Sequence, residues 1–103
     1  MQVKDDVDIW GLQIHMQKAL KIADEIWEDY GQELVITSAR DGIHSAGSLH
    51  YYGLAIDCRT RYFSEEDKRR VFEELQDDLG GDYDVIWHSS HIHIEHQSSL
   101  DKA

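Results

Sequence analysis

The sequence predicts an α+β fold: one small domain over residues 1–103, with helices packed on one face of an antiparallel sheet. Three features predict it. Apolar residues recur at helical spacing in two separate stretches, β-branched runs lie between and after them, and two alternating segments flank Ser89-Ser90 as a hairpin. A chain of 103 residues has room for one core that removes about 60–65% of its unfolded surface from water, and for no second one.

The first helix is read from Ile9, Leu12, Met16, Ala19, Leu20, Ala23, Ile26, Trp27 and Tyr30, which recur at steps of three and four. Asp8 is its expected N-cap and Gly31 its stop. LVITS at 34–38 is rich in β-branched residues and reads as a strand; residues 39–49, dense in Gly, Ser and Asp, read as a loop. YGLAIDCRT then reads as a strand in which Gly53, Ala55 and Asp57 share a face, leaving room beside the carboxylate. Ser64 and Asp67 form a variant capping box for a second helix, whose stripe Val71, Phe72, Leu75, Leu79 ends at Gly80-Gly81.

YDVIWH and HIHIEH close the chain as the hairpin. A two-residue loop places His88 opposite His91 and Ile86 opposite His93, although Ser-Ser is not a favoured turn pair. His88, His91, His93 and Glu95 then share one face, and Val85, Trp87, Ile92 and Ile94 take the other, where they pack on the helices. Taken alone, the histidines read first as those of an ordinary solvated sheet face.

Composition excludes several classes. Ten Lys plus Arg against 21 Asp plus Glu leave a net charge of −11, which repels nucleic-acid phosphates and anionic membranes. The single cysteine, Cys58, excludes an internal disulfide and any multi-thiolate zinc site, so a metal must be held by His, Asp or Glu. Cys58 itself is expected to be buried, facing away from Asp57. No basic region followed by an apolar run opens the chain and no window has about 20 apolar residues. The expectation is a cytoplasmic product without a signal peptide that is not a membrane protein.

Upstream of the hairpin, SLHYYGLAID at 48–57 has the spacing Ser-x-His-x-x-Gly-x-Ala-x-Asp, and an HxH follows at 91–93. These motifs resemble the zinc D-alanyl-D-alanine carboxypeptidase family, peptidoglycan metallopeptidases related to the vancomycin-resistance dipeptidases and the hedgehog domain. The resemblance covers residues 35–95. It implies that His50, Asp57 and His93 hold one Zn²⁺ in a cleft on the sheet face opposite the helices. Two imidazoles and a carboxylate suit that ion and leave its fourth position open. It further implies a peptidase acting on peptidoglycan stem peptides, as a carboxypeptidase or endopeptidase. An endolysin-like phage or prophage enzyme would act on the cell wall after release or lysis.

Carried over residue by residue, His91 is the expected general base, and His88 stabilises the oxyanion or delivers the proton to the leaving amine. Relatives often place an acidic residue near the start of this hairpin, where this chain has His88, so the base stays open among His91, His88 and Glu95. Glu95 is also placed to orient a ligand imidazole. Arg40 and Ser48 are the expected substrate contacts, Arg40 through its planar fork; a salt bridge and a loop-forming serine are their structural alternatives. His44 is read as a loop residue, and His15 and His96 as surface residues. A zinc-containing, non-catalytic binding module of hedgehog type and a metal-free, acid-sensing histidine cluster are the competing functions.

Overall fold

The computed structural model describes residues 1–5, 7, 12, 14–39 and 55–96. In chain order they form β1 (Gln2–Val3), α1 (Ile14–Asp29), β2 (Val35–Ser38), β3 (Ala55–Arg59), α2 (Glu65–Leu79), β4 (Tyr83–Trp87) and β5 (His91–His96). The helical stripe of α1 is buried at Met16, Ala19, Ala23, Ile26 and Trp27. Leu12 is buried too, but it precedes the helix instead of belonging to it. The expected cap Asp8, with Ile9 and Trp10, lies outside the described residues.

Gly31 ends α1 as the sequence predicts. It stands at φ 73, and the Gly31 N–H donates to the Glu28 carbonyl at 2.9 Å while Gln32 N–H donates to Trp27 at 3.0 Å. That pair of bonds is a Schellman closure, and the positive φ is open to glycine without a Cβ penalty. In α2 the Asp67 N–H donates to Ser64 Oγ at 3.1 Å, and Glu65, Glu66 and Asp67 occupy the first turn, where negative charge complements the helix dipole. Gly80, at φ 81, terminates it.

The strands form one five-stranded sheet in the order β1-β2-β3-β5-β4. All neighbours are antiparallel except β1 and β2, so the sheet is mixed and the expectation of a purely antiparallel one is corrected. β1 is two residues long, too short for alternation to be visible in sequence. Its pairing rests on the Gln2 N–H to the Leu34 carbonyl at 2.6 Å and the Lys4 N–H to Ile36 at 3.0 Å. The hairpin has the register read from the sequence: Ile86 pairs with His93 and Trp87 with Ile92.

Alternation divides the sheet into two faces. Ile36, Ile56, Cys58, Ile92 and Ile94 point to one side and are fully buried with Met16, Ala23 and Trp27 of α1 and Val71 and Leu75 of α2 in a single core. Both helices therefore cover the same face, and one core means one domain. Trp27 adds a polar tie, its Nε1–H donating to the Arg59 carbonyl at 3.1 Å. Cys58 lies inside this core, and burial pushes its thiol pKa well up.

Two residues differ from expectation. Trp87 stays 40% exposed: among the described residues β4 is the sheet edge, and the ring meets Phe72 and Lys68 of α2 at the rim of the core. His96 is not a surface residue: it is 9% exposed, stacked on His15 at 4.1 Å and edge-on to Tyr83. Among the described residues, no helix is long and apolar enough to cross a membrane.

Ile94 is fully buried in the shared core and pairs with Ile56 of β3. Ile94→Ala should therefore cost about 2–5 kcal/mol, read as a lower urea midpoint with an unchanged slope.

Candidate functional site

The sheet face away from the helices carries the titratable groups in rows across the strands. In one row Asp57 of β3 pairs with His93 of β5, which pairs in turn with Ile86 of β4. In the next, Arg59 pairs with His91, and the His88 N–H donates to the His91 carbonyl at 3.0 Å across the hairpin end. In the third, Ala55, Glu95 and Asp84 stand side by side. A strand pair holds opposed Cβ atoms about 4.5–5.5 Å apart, so ladder register alone brings residues 57 and 93 into contact.

His93 is bracketed by carboxylates. Its Nδ1 lies 2.7 Å from Asp57 Oδ1 and its Nε2 lies 2.7 Å from Glu95 Oε1. A neutral imidazole carries one N–H, so donating to both partners requires the protonated ring. Burial opposes that charge, yet the hydrogen bonds to Asp57 and Glu95 outweigh it and the His93 pKa rises above its ordinary value. His91 behaves oppositely. Burial lowers its pKa, reinforced by His88, His93 and Lys68 and only partly offset by Asp57, whose Oδ1 is 3.7 Å from His91 Nε2.

His88 stacks on His91 with centroids 4.5 Å apart and an interplanar angle of 18°, and it lies edge-on to His93 at 6.3 Å. Ser90 Oγ is 3.4 Å from His91 Nδ1. The three imidazoles and two carboxylates thus form one cluster on the sheet face away from the helices.

Ser89-Ser90 closes the hairpin without the positive φ of the favoured two-residue turns, since no described non-glycine residue has one. The turn is tied down from elsewhere. The Lys68 ammonium donates to the His88 carbonyl and, at 3.4 Å, to that of Ser89, and its Nζ sits 4.1 Å from the Trp87 ring centroid. The Thr60 N–H donates to the Ser90 carbonyl at 3.1 Å. Lys68 is buried and its pKa is lowered by that burial, against a smaller opposing effect of Glu65. Sequence reasoning missed this residue. The signal was a lysine at 68, in helical phase with Val71, Leu75 and Leu79 on the buried stripe of α2.

Of the residues assigned from the sequence, the structure brings Asp57, His88, His91, His93 and Glu95 together. His50, Arg40, Ser48 and His44 lie outside the described residues. Among the described residues, no group of three His, Cys, Asp or Glu side chains is arranged to hold a metal ion. The chemistry of Asp57 and His93 does fit zinc: a carboxylate and an imidazole in contact, with Glu95 on the far ring nitrogen. A second carboxylate in that position fixes the tautomer of a metal-bound imidazole. Comparison with protein-family models, curated proteins and solved structures gave no match.

In metal-free protein the His93 resonances should titrate above about pH 6.5, and Asp57→Asn should bring that midpoint down. The stability consequence follows from the raised folded pKa. Relative to His93→Gln, metal-free wild type should hold an advantage that is full below about pH 6.5 and lost as pH rises through the His93 pKa; urea unfolding at a series of pH values in chelator reads it. Lys68→Met, which keeps the packing stem and removes both carbonyl ties, should speed amide exchange at residues 88–91 while leaving α2 protected, by hydrogen exchange.

Proposed function

We propose that the chain is a zinc-dependent peptidase that hydrolyses an amide bond in peptidoglycan stem peptides, with one Zn²⁺ held by His50, Asp57 and His93. The observation that carries this reading is the β3–β5 pairing of Asp57 with His93, which sets two residues from separate motifs 2.7 Å apart beside His91 and His88. The substrate class comes from the resemblance of the motifs at 48–57 and 91–93.

When bound, zinc supplies Lewis-acid polarisation of an amide carbonyl and lowers the pKa of water. The remaining work belongs to the chain. Glu95 accepts a hydrogen bond from His93 Nε2–H, which would leave Nδ1, the nitrogen beside Asp57, as the one to hold a metal. His91 is the general base: burial keeps it neutral, and its Nε2 faces the Asp57 side of the cluster, where it takes a proton from the attacking water. His88, stacked on His91 and open to solvent, is placed to deliver a proton to the leaving amine or to hold the developing oxyanion.

Protein purified without chelator should carry close to one zinc per chain, lose it to chelator, and release alanine or peptide from purified peptidoglycan, identified by fragment mass. His91→Ala should reduce that release by about 10²–10⁴-fold with zinc content unchanged. Wild type that binds zinc yet releases nothing is instead a binding module, and wild type that takes up no zinc removes the metallopeptidase altogether.

A further inference from the structure

The turn between β4 and β5 is closed by a residue pair that does not favour it, and it carries a hydroxyl that none of the roles above uses. Two-residue hairpins close best with Asn-Gly, Asp-Gly or Gly-X pairs, yet Ser89 and Ser90 occupy this one without a positive φ. Other elements hold it in place. The Lys68 ammonium donates to the His88 and Ser89 carbonyls, and the Thr60 N–H donates to the Ser90 carbonyl. Both peptide planes that flank Ser90 are thereby fixed, which sets the direction of its side chain.

That side chain meets the base. Ser90 Oγ lies 3.4 Å from His91 Nδ1, the long end of a hydrogen bond, and contacts of this kind tighten once the reacting partners are bound. On the other side of the ring, His91 Nε2 lies 3.7 Å from Asp57 Oδ1. That gap is too wide for a direct hydrogen bond and suits one oxygen atom lying against both. A neutral imidazole carries its single proton on one nitrogen, and only the other accepts. For Nε2 to take the proton of a water beside Asp57, the ring's own proton must sit on Nδ1, where it needs an acceptor. A hydroxyl oxygen accepts there and brings no charge to the face. It serves the neutral ring before transfer and the imidazolium after it: the proton leaves water and arrives on Nε2, while Nδ1–H keeps one partner throughout.

We infer that Ser90 is a positioning residue for His91: its Oγ accepts from Nδ1–H and so keeps Nε2, the nitrogen on the Asp57 side, as the one that takes the proton. Its consequence for turnover rests on the peptidase reading; the tautomer is read without any substrate. The unfavoured turn pair follows from this role. Asn-Gly would close the hairpin better and bring no hydroxyl to position 90.

Two measurements test it on the full chain supplied with zinc sulfate, at about pH 8, where an ordinary imidazole is neutral. The nitrogen chemical shifts of the His91 ring by NMR give the tautomer, and release of alanine or peptide from purified peptidoglycan gives the rate. Wild type should show mainly the Nδ1–H form. Ser90→Ala should move the ratio toward Nε2–H by roughly three- to tenfold, the worth of one neutral hydrogen bond, and lower release by a similar factor with zinc content and urea midpoint unchanged. Ser90→Thr, which returns a hydroxyl, should recover both, and Ser89→Ala should alter neither. A wild-type ring protonated at Nε2, a ratio that Ser90→Ala leaves unmoved, or an equal shift with Ser89→Ala overturns the inference. A tautomer that follows Ser90 in protein that releases nothing keeps the Ser90 contact and removes the peptidase.

Discussion

The site depends on one register, the antiparallel ladder between β3 and β5. Side chains alternate with period two, so a slip of one residue would send Asp57 and His93 to opposite faces. That slip is opposed from the far side of the sheet. Ile56 pairs with Ile94 and Cys58 with Ile92, all four fully buried under the helices. A one-residue slip would expose isoleucines and bury carboxylates. The apolar core thereby sets the polar cluster, although it touches none of it directly.

The end of the hairpin needs a different support. Its two serines do not supply the left-handed backbone that matches strand twist, and among the described residues β4 is an edge strand. A lysine from α2 reaches across to two turn carbonyls, and the backbone of Thr60 holds a third. Burying an ammonium is unfavourable in itself, but here it meets two carbonyl oxygens and the face of an indole. The same helix that covers the core thus positions the loop between His88 and His91.

Electrostatics sort the face into two regions. Around His93 two carboxylates favour a positive charge, whether a proton or a divalent cation occupies the space, and the two compete. Two strand positions further on, Arg59 brings a positive charge to the same face beside His91.

Much of this was legible in the residues. Helical spacing located both helices, Gly31 and Gly80 marked their ends, and the two-residue loop set the hairpin register that puts His88, His91, His93 and Glu95 on one side. Those features are local, because backbone geometry dictates which residues within a few positions share a face. β1 escaped notice because two residues carry no periodicity, and the parallel pairing that makes the sheet mixed requires a partner more than thirty residues away. The exposure of Trp87 and the burial of His96 depend on which strand lies at the edge and where α1 begins. Lys68 and Arg59 look like ordinary surface cations in sequence. The sequence by itself determined the two helices, the strands β2 to β5 and which residues of the hairpin share a face. Only the tertiary structure decided strand order, which places the Asp57 carboxylate against His93, the Lys68 ammonium under the turn and the Arg59 guanidinium beside His91, because contacts between distant segments arise from packing that no local pattern encodes.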